Sequence, residues 1–138
     1  MTLLELNRNL DEIQAIINKI RTQFNQTPRH NGKIRQNVKL ITNTVENQYK
    51  IPRGSVYTDS RKGPISEARQ MSMFLIFHIT KTTVGQTGYP FGRDISNVSY
   101  SMRTIKNLIQ TISDVSYNFM KVCNTLKLEK NFINEMLK

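Results

Sequence analysis

Apolar side chains at Leu3, Leu6, Leu10, Ile13, Ile17, Ile20 and Phe24 recur in steps of three and four residues. That spacing is the seam of a helix that packs along one stripe. No Gly or Pro interrupts the run, and Thr2 with Glu5 reads as a capping box at its start. Leu4 and Ile16 widen the stripe, so packing within the chain and pairing with a second copy both fit. Residues 1–24 are therefore expected to be an amphipathic helix for packing or oligomerisation. Its contact positions are Leu3, Leu6, Leu10, Ile13, Ile17 and Ile20. Residues 25–33 gather Pro28, Gly32 and polar side chains, and read as a linker.

A second helical pattern runs over 34–49 through Ile34, Val38, Ile41, Val45 and Tyr49, and Pro52 and Gly54 end it. Gly63-Pro64 reads as a loop, and Ser66 as the N-cap of a third helix to about Thr80 with Met71, Phe74, Leu75, His78 and Ile79 on its apolar face. From Arg93 to Lys138 there is neither Gly nor Pro, and Ile105, Leu108, Ile112, Val115, Phe119, Val122 and Leu126 again step by three and four. The pattern predicts a long C-terminal helix with at most one break, its last part an extension over 129–138. No period-2 run of useful length occurs, so the fold class is all-α.

At 138 residues the chain fits one domain plus an appendage. Charge changes the picture more than size does. Twenty Lys and Arg against ten Asp and Glu give +10, with residues 1–24 net zero, 25–81 at +7 and 82–138 at +3. A concentrated excess of this kind favours polyanions, whose counterions it releases. A basic surface that merely aids solubility is the plainer alternative. A single cysteine, Cys123, excludes an intrachain disulfide framework and fits a reducing compartment. The longest apolar run, Met73 to Phe77, is too short to span a bilayer, and the N-terminus lacks a signal-peptide pattern. A soluble protein of the bacterial cytoplasm and nucleoid is expected, with no membrane partner, or a virion protein if phage-encoded. The abundance of Asn, Ile and Lys, which have AT-rich codons, points to an AT-rich bacterial or phage genome.

Catalytic chemistry has little to work with. No P-loop pattern occurs, His30 and His78 stand apart without ligand-spaced partners, and the ten carboxylates are scattered. No enzyme activity, metal or cofactor is expected. His30, His78 and Cys123 read as structural or surface residues.

Three blocks carry a more specific signal: Thr44-Val45 with Tyr49-Lys50-Ile51; Arg61 through Gln70 followed by Met71, Met73 and Leu75; and Phe91-Gly92-Arg93-Asp94 with Val98, Arg103 and Ile105. In order and spacing they resemble the C-terminal DNA-binding domain, domain IV, of the bacterial replication initiator DnaA. That family's pattern is a basic loop, an A-R-x-x-A-M-type helix and an F-G-G-R-D-H-[ST]-T-V signature. The resemblance runs from about residue 36 to 128, within an expected helix-turn-helix domain over 34–128.

The resemblance implies a helix-turn-helix fold whose second helix enters the major groove of double-stranded DNA while a loop arginine enters the minor groove. By position, Arg61 would be that arginine, with Lys62 beside it. Arg69 and Gln70 would meet phosphate, and Thr82 and Thr83 the backbone before the turn. Arg93 would open the second helix, with Asp94, Ile95, Ser96 and Asn97 facing base edges. Read without the family, Arg93-Asp94 could equally be a local ion pair and cap, and Arg61-Lys62 a solvated loop. The family's His-Thr-Thr is Ile95-Ser96-Asn97 here, so its base sequence is not implied. Phe77 stands where a lysine is expected, one glycine of the pair before Arg93 is missing, and Gly85, Gly88 and Pro90 predict a short first helix.

Two functions follow as expectations. The first is a non-enzymatic duplex-DNA-binding protein that regulates replication or transcription, with a homodimer as its assembled form. The second is a phage structural or protein-interaction component that keeps the fold without specific DNA recognition, its partner a host or phage protein.

Overall fold

The structure, a computed structural model, describes residues 2–26 and 32–138. Among them the chain forms α1 (Leu3–Gln26), α2 (Gly32–Tyr49), α3 (Gly63–Thr80), α4 (Val84–Gly88), α5 (Ile95–Thr111), α6 (Ser113–Thr125) and α7 (Lys130–Met136). Two 3-10 turns, Ser55–Tyr57 and Tyr89–Phe91, lie before α3 and after α4. The described residues contain no strand, and the fold is all-α.

The α3 helix is the axis of the core. Its stretch from Ala68 to Ile76 is buried except at the half-buried Gln70, as expected of a helix that is apolar nearly all round. Val38, Ile41 and Val45 of α2 cover one flank, and Val98, Ile105 and Ile109 of α5 another. Phe119 of α6 meets Phe74 of α3 edge to face, with ring centroids 6.1 Å apart. Gln48 Nε2 donates to Asn118 Oδ1 at 3.0 Å and ties α2 to α6.

The expected N-cap of α3 moves upstream by four residues. Lys62 is its N-cap, Pro64 lies in the first turn, and the Ser66 amide already donates to the Lys62 carbonyl. Gly63-Pro64 is thus a helix start, because proline in the first turn has no amide to lose and its φ is preset for the helix.

The C-terminal stretch is three helices instead of one long one. A straight helix over 44 residues would be about 66 Å long, whereas a domain of about 100 residues has a radius of gyration of roughly 13 Å. The chain turns at Ile112, which is extended (φ −115°, ψ 119°), so that Val115, Phe119 and Val122 return to the core. A second turn follows at Lys127, in the left-handed region at φ 57°. There the Leu128 amide donates to Cys123 O and the Lys127 amide to Asn124 O, the double bond that closes many helices.

The α1 helix has the expected boundaries to within two residues, and Thr2 and Glu5 make the reciprocal capping bonds. Leu10, Ile13, Ile16 and Ile17 are exposed on it. The side chains of Leu3, Leu6 and Ile20, and residues 27–31 of the expected linker, lie outside the described residues.

Candidate nucleic-acid interface

The α4 helix is only five residues long, in keeping with its two glycines and the proline that follows. It is nevertheless well capped. Gln86 N donates to Thr83 Oγ1 and Thr83 N to Gln86 Oε1, a full capping box. The chain then passes through Tyr89–Phe91 and reverses at Gly92, in the left-handed region at φ 63°. Asp94 caps α5, its Oδ1 accepting from Asn97 N at 2.8 Å. Gly88 makes the close crossing possible. A Cβ on it would stand 2.5 Å from both Arg93 O and Val98 Cγ2. A short capped helix joined by a tight turn to a longer capped helix that exposes its first turn defines a helix-turn-helix.

The loop before α3 is built around two buried charged groups. Glu46 of α2 is 1 % exposed, and its Oε2 accepts from Gly54 N at 2.7 Å and Val56 N at 3.3 Å. From the other side Arg69 donates through Nε to Val56 O (2.9 Å) and through Nη2 to Thr58 O (2.6 Å) and Ser60 O (2.9 Å). Tyr57 stacks on Phe91 with centroids 5.0 Å apart, which fixes the loop against the turn. Arg93 reaches across to Asp59, Nη2 to Oδ1 at 3.6 Å. Burial first, and then the Arg93 charge, hold the Arg69 guanidinium below its ordinary pKa, with Asp59 opposing.

Loop and helix enclose a groove of about 640 Å³. Arg61, Gln70, Arg93 and Asn97 line it together, joined by Asp59 and Tyr100. Lys62 is exposed beside it at the head of α3, and Ile95 and Ser96 are exposed on the first turn of α5. No sequence signal marks Asp59 or Tyr100; Asp59 stands two residues before the Arg61–Gln70 block.

Three expected contacts have other roles. Arg69, the expected phosphate contact, is 6 % exposed, and its guanidinium donates to three loop carbonyls. Thr82 is buried, with its hydroxyl 3.0 Å from those of Thr80 and Thr87, so it packs the start of the turn. Asp94 spends one carboxylate oxygen on the helix cap. Thr83 stays exposed, although its side chain caps α4.

Among the described residues no cluster of three or more His, Cys, Asp or Glu could hold a metal ion, and no helix is long and apolar enough to cross a membrane.

The architecture is that of a helix-turn-helix domain. Residues 38–105 match the family described as bacterial dnaA protein helix-turn-helix. The chromosomal replication initiator protein DnaA of Synechococcus sp. (strain JA-2-3B'a(2-13)) is 32% identical over 93 residues, 67% of this chain and 20% of that protein. DnaA of Tropheryma whipplei (strain Twist) is 37% identical over 71 residues, 49% of this chain and 15% of that protein. Over these residues the chain is DnaA domain IV-like. It spans a fifth or less of the length of these curated relatives.

Proposed function

We propose that the chain is a non-enzymatic protein that binds duplex DNA and regulates replication or transcription in a bacterial or phage setting, acting in the cytoplasm. The observation that carries this reading is the groove joining Arg61, Gln70, Arg93 and Asn97 on a chain of net charge +10. Arg61 would enter the minor groove, with Lys62 on the adjoining backbone. The first turn of α5 would enter the neighbouring major groove, where Ile95 packs on a thymine methyl and Asn97 pairs with adenine. Ser96 is exposed on the same first turn of α5 and would supply a hydroxyl. Thr83 and Gln70 are backbone contacts in this arrangement. The kinship with replication initiators supports the replication setting.

The exposed Leu10, Ile13, Ile16 and Ile17 of α1 support a protein partner as well, first of all a second copy of this chain. Two linked domains would bind paired sites at a raised effective concentration. The same face also supports the second reading, a phage or host interaction component without DNA recognition. Fluorescence anisotropy with a labelled duplex tests the choice. Salt-sensitive binding that Arg61→Ala weakens fits the first reading; absence of duplex binding at low salt refutes it.

A further inference from the structure

We propose that the groove between the 58–62 loop and α5 seats one backbone phosphodiester on Arg93, and that Asp59 is the carboxylate this phosphate displaces. The proposal deepens the DNA-binding reading and rests on it for the source of the phosphate.

Arg93 is held only weakly where it lies. Its Nη2 stands 3.6 Å from Asp59 Oδ1, an ion pair longer than a hydrogen bond. The Asp59 side chain is 99 % exposed, and a pair so open to water contributes little. Releasing Asp59 into solvent therefore costs little as well.

The Arg93 guanidinium also has unused capacity. Its Nε is buried and has no hydrogen-bond partner among the described residues. A buried guanidinium N–H without an acceptor is unusual in folded proteins. The planar fork of Arg matches two phosphate oxygens, which a single distant carboxylate oxygen does not. A phosphate in the groove would offer an acceptor and replace Asp59 as counter-charge.

The surroundings select an anion. Arg69, whose guanidinium is committed to the loop carbonyls, adds a second fixed positive charge close enough to Arg93 to depress its own proton affinity. Arg61 and Gln70 line the same groove, and Asp59 is its sole carboxylate among the described lining residues. The docking proposed above supplies the source. With a loop arginine in the minor groove and α5 in the next major groove, the strand separating the two grooves must pass between loop and helix.

Two measurements test the seat. Inorganic phosphate is titrated while the arginine Nε–H resonances are followed by 15N NMR. The Arg93 resonance should shift and saturate, and Asp59→Asn should lower the half-saturating phosphate concentration about two- to fivefold. Duplex affinity is then compared across Asp59→Asn, Arg93→Gln and the double variant, with Asp114→Asn on α6 as a control for net charge. Asp59→Asn should bind the duplex about two- to fivefold tighter, more than the control, and that gain should vanish in the Arg93→Gln background. Thermal melts keep loss of fold apart from loss of the seat. An Arg93 resonance that phosphate does not move overturns the proposal. So does an Asp59→Asn gain that matches the control or survives without Arg93. Phosphate that titrates Arg93 while no duplex is bound supports the seat and sinks the DNA-binding reading alone.

Discussion

Gly88 and Arg93 approach so closely that a Cβ on Gly88 would lie 2.5 Å from the Arg93 carbonyl oxygen. Arg93 N donates to Gly88 O at 3.1 Å across the same turn. One glycine thereby sets the distance between the two helices of the motif, and with it the place where α5 begins.

Gly88→Ala should consequently destabilise the domain, by about 1–3 kcal/mol, because the neighbour at 2.5 Å is backbone that cannot rotate away. The melting temperature reports this directly. Gly85, whose nearest neighbour would be Ile95 Cγ1 at 3.9 Å, should accept alanine with no comparable loss. Equal melting temperatures for the two variants would refute the argument.

Arg69→Met should lower stability by about 2–3 kcal/mol, since a buried cation serving three carbonyls is lost. Duplex affinity should fall with it, through a disordered loop. The salt slope should stay the same. A direct phosphate contact would instead reduce the slope by about 0.9. Binding at two salt concentrations separates the two roles.

Much of the fold is legible in the hydrophobic spacing, and the reasons it fails elsewhere are local. Steps of three and four residues mark α1, α2 and α3, and the glycines with Pro90 foretell a short α4. The breaks at Ile112 and Lys127 carry neither Gly nor Pro, so no local rule marks them; they let Val115, Phe119 and Val122 of α6 and Ile133 and Met136 of α7 return to the core. Lysine takes the left-handed position at residues 50, 81 and 127, where glycine is the usual occupant. At the candidate interface, Arg61, Gln70, Arg93 and Asn97 can be found from family spacing and do share one groove. The roles of Arg69 and Thr82 cannot, since they depend on the loop carbonyls and the Thr87 hydroxyl brought near by packing.

Cys123 is fully buried on α6, and burial pushes its thiol up to about 12. The thiolate is the reactive species, so at neutral pH the native protein should resist a disulfide-exchange reagent. Denaturant should expose one reactive thiol per chain. Rapid labelling of the native protein would contradict the burial of α6 against the core.

The homodimer proposed through the exposed Leu10 and Ile17 of α1 should form in a concentration-dependent way. Light scattering at tens of micromolar should give twice the mass of 16.0 kDa, and Leu10→Asp with Ile17→Asp should return it to the monomer value. A parent that stays monomeric would mean that α1 covers its apolar face in some other way.

The central claim is that this helix-turn-helix holds duplex DNA between a minor-groove arginine and α5. Its most direct test is duplex affinity for the parent and for Arg61→Ala, measured at about 50 mM and 200 mM salt. If five or so phosphates are neutralised, log K should fall against log salt with a slope of roughly −4 to −5. Arg61→Ala should weaken binding most on narrow-groove AT-rich duplexes. No duplex binding at the lower salt, or an Arg61→Ala variant that binds every duplex as the parent does, would contradict the account.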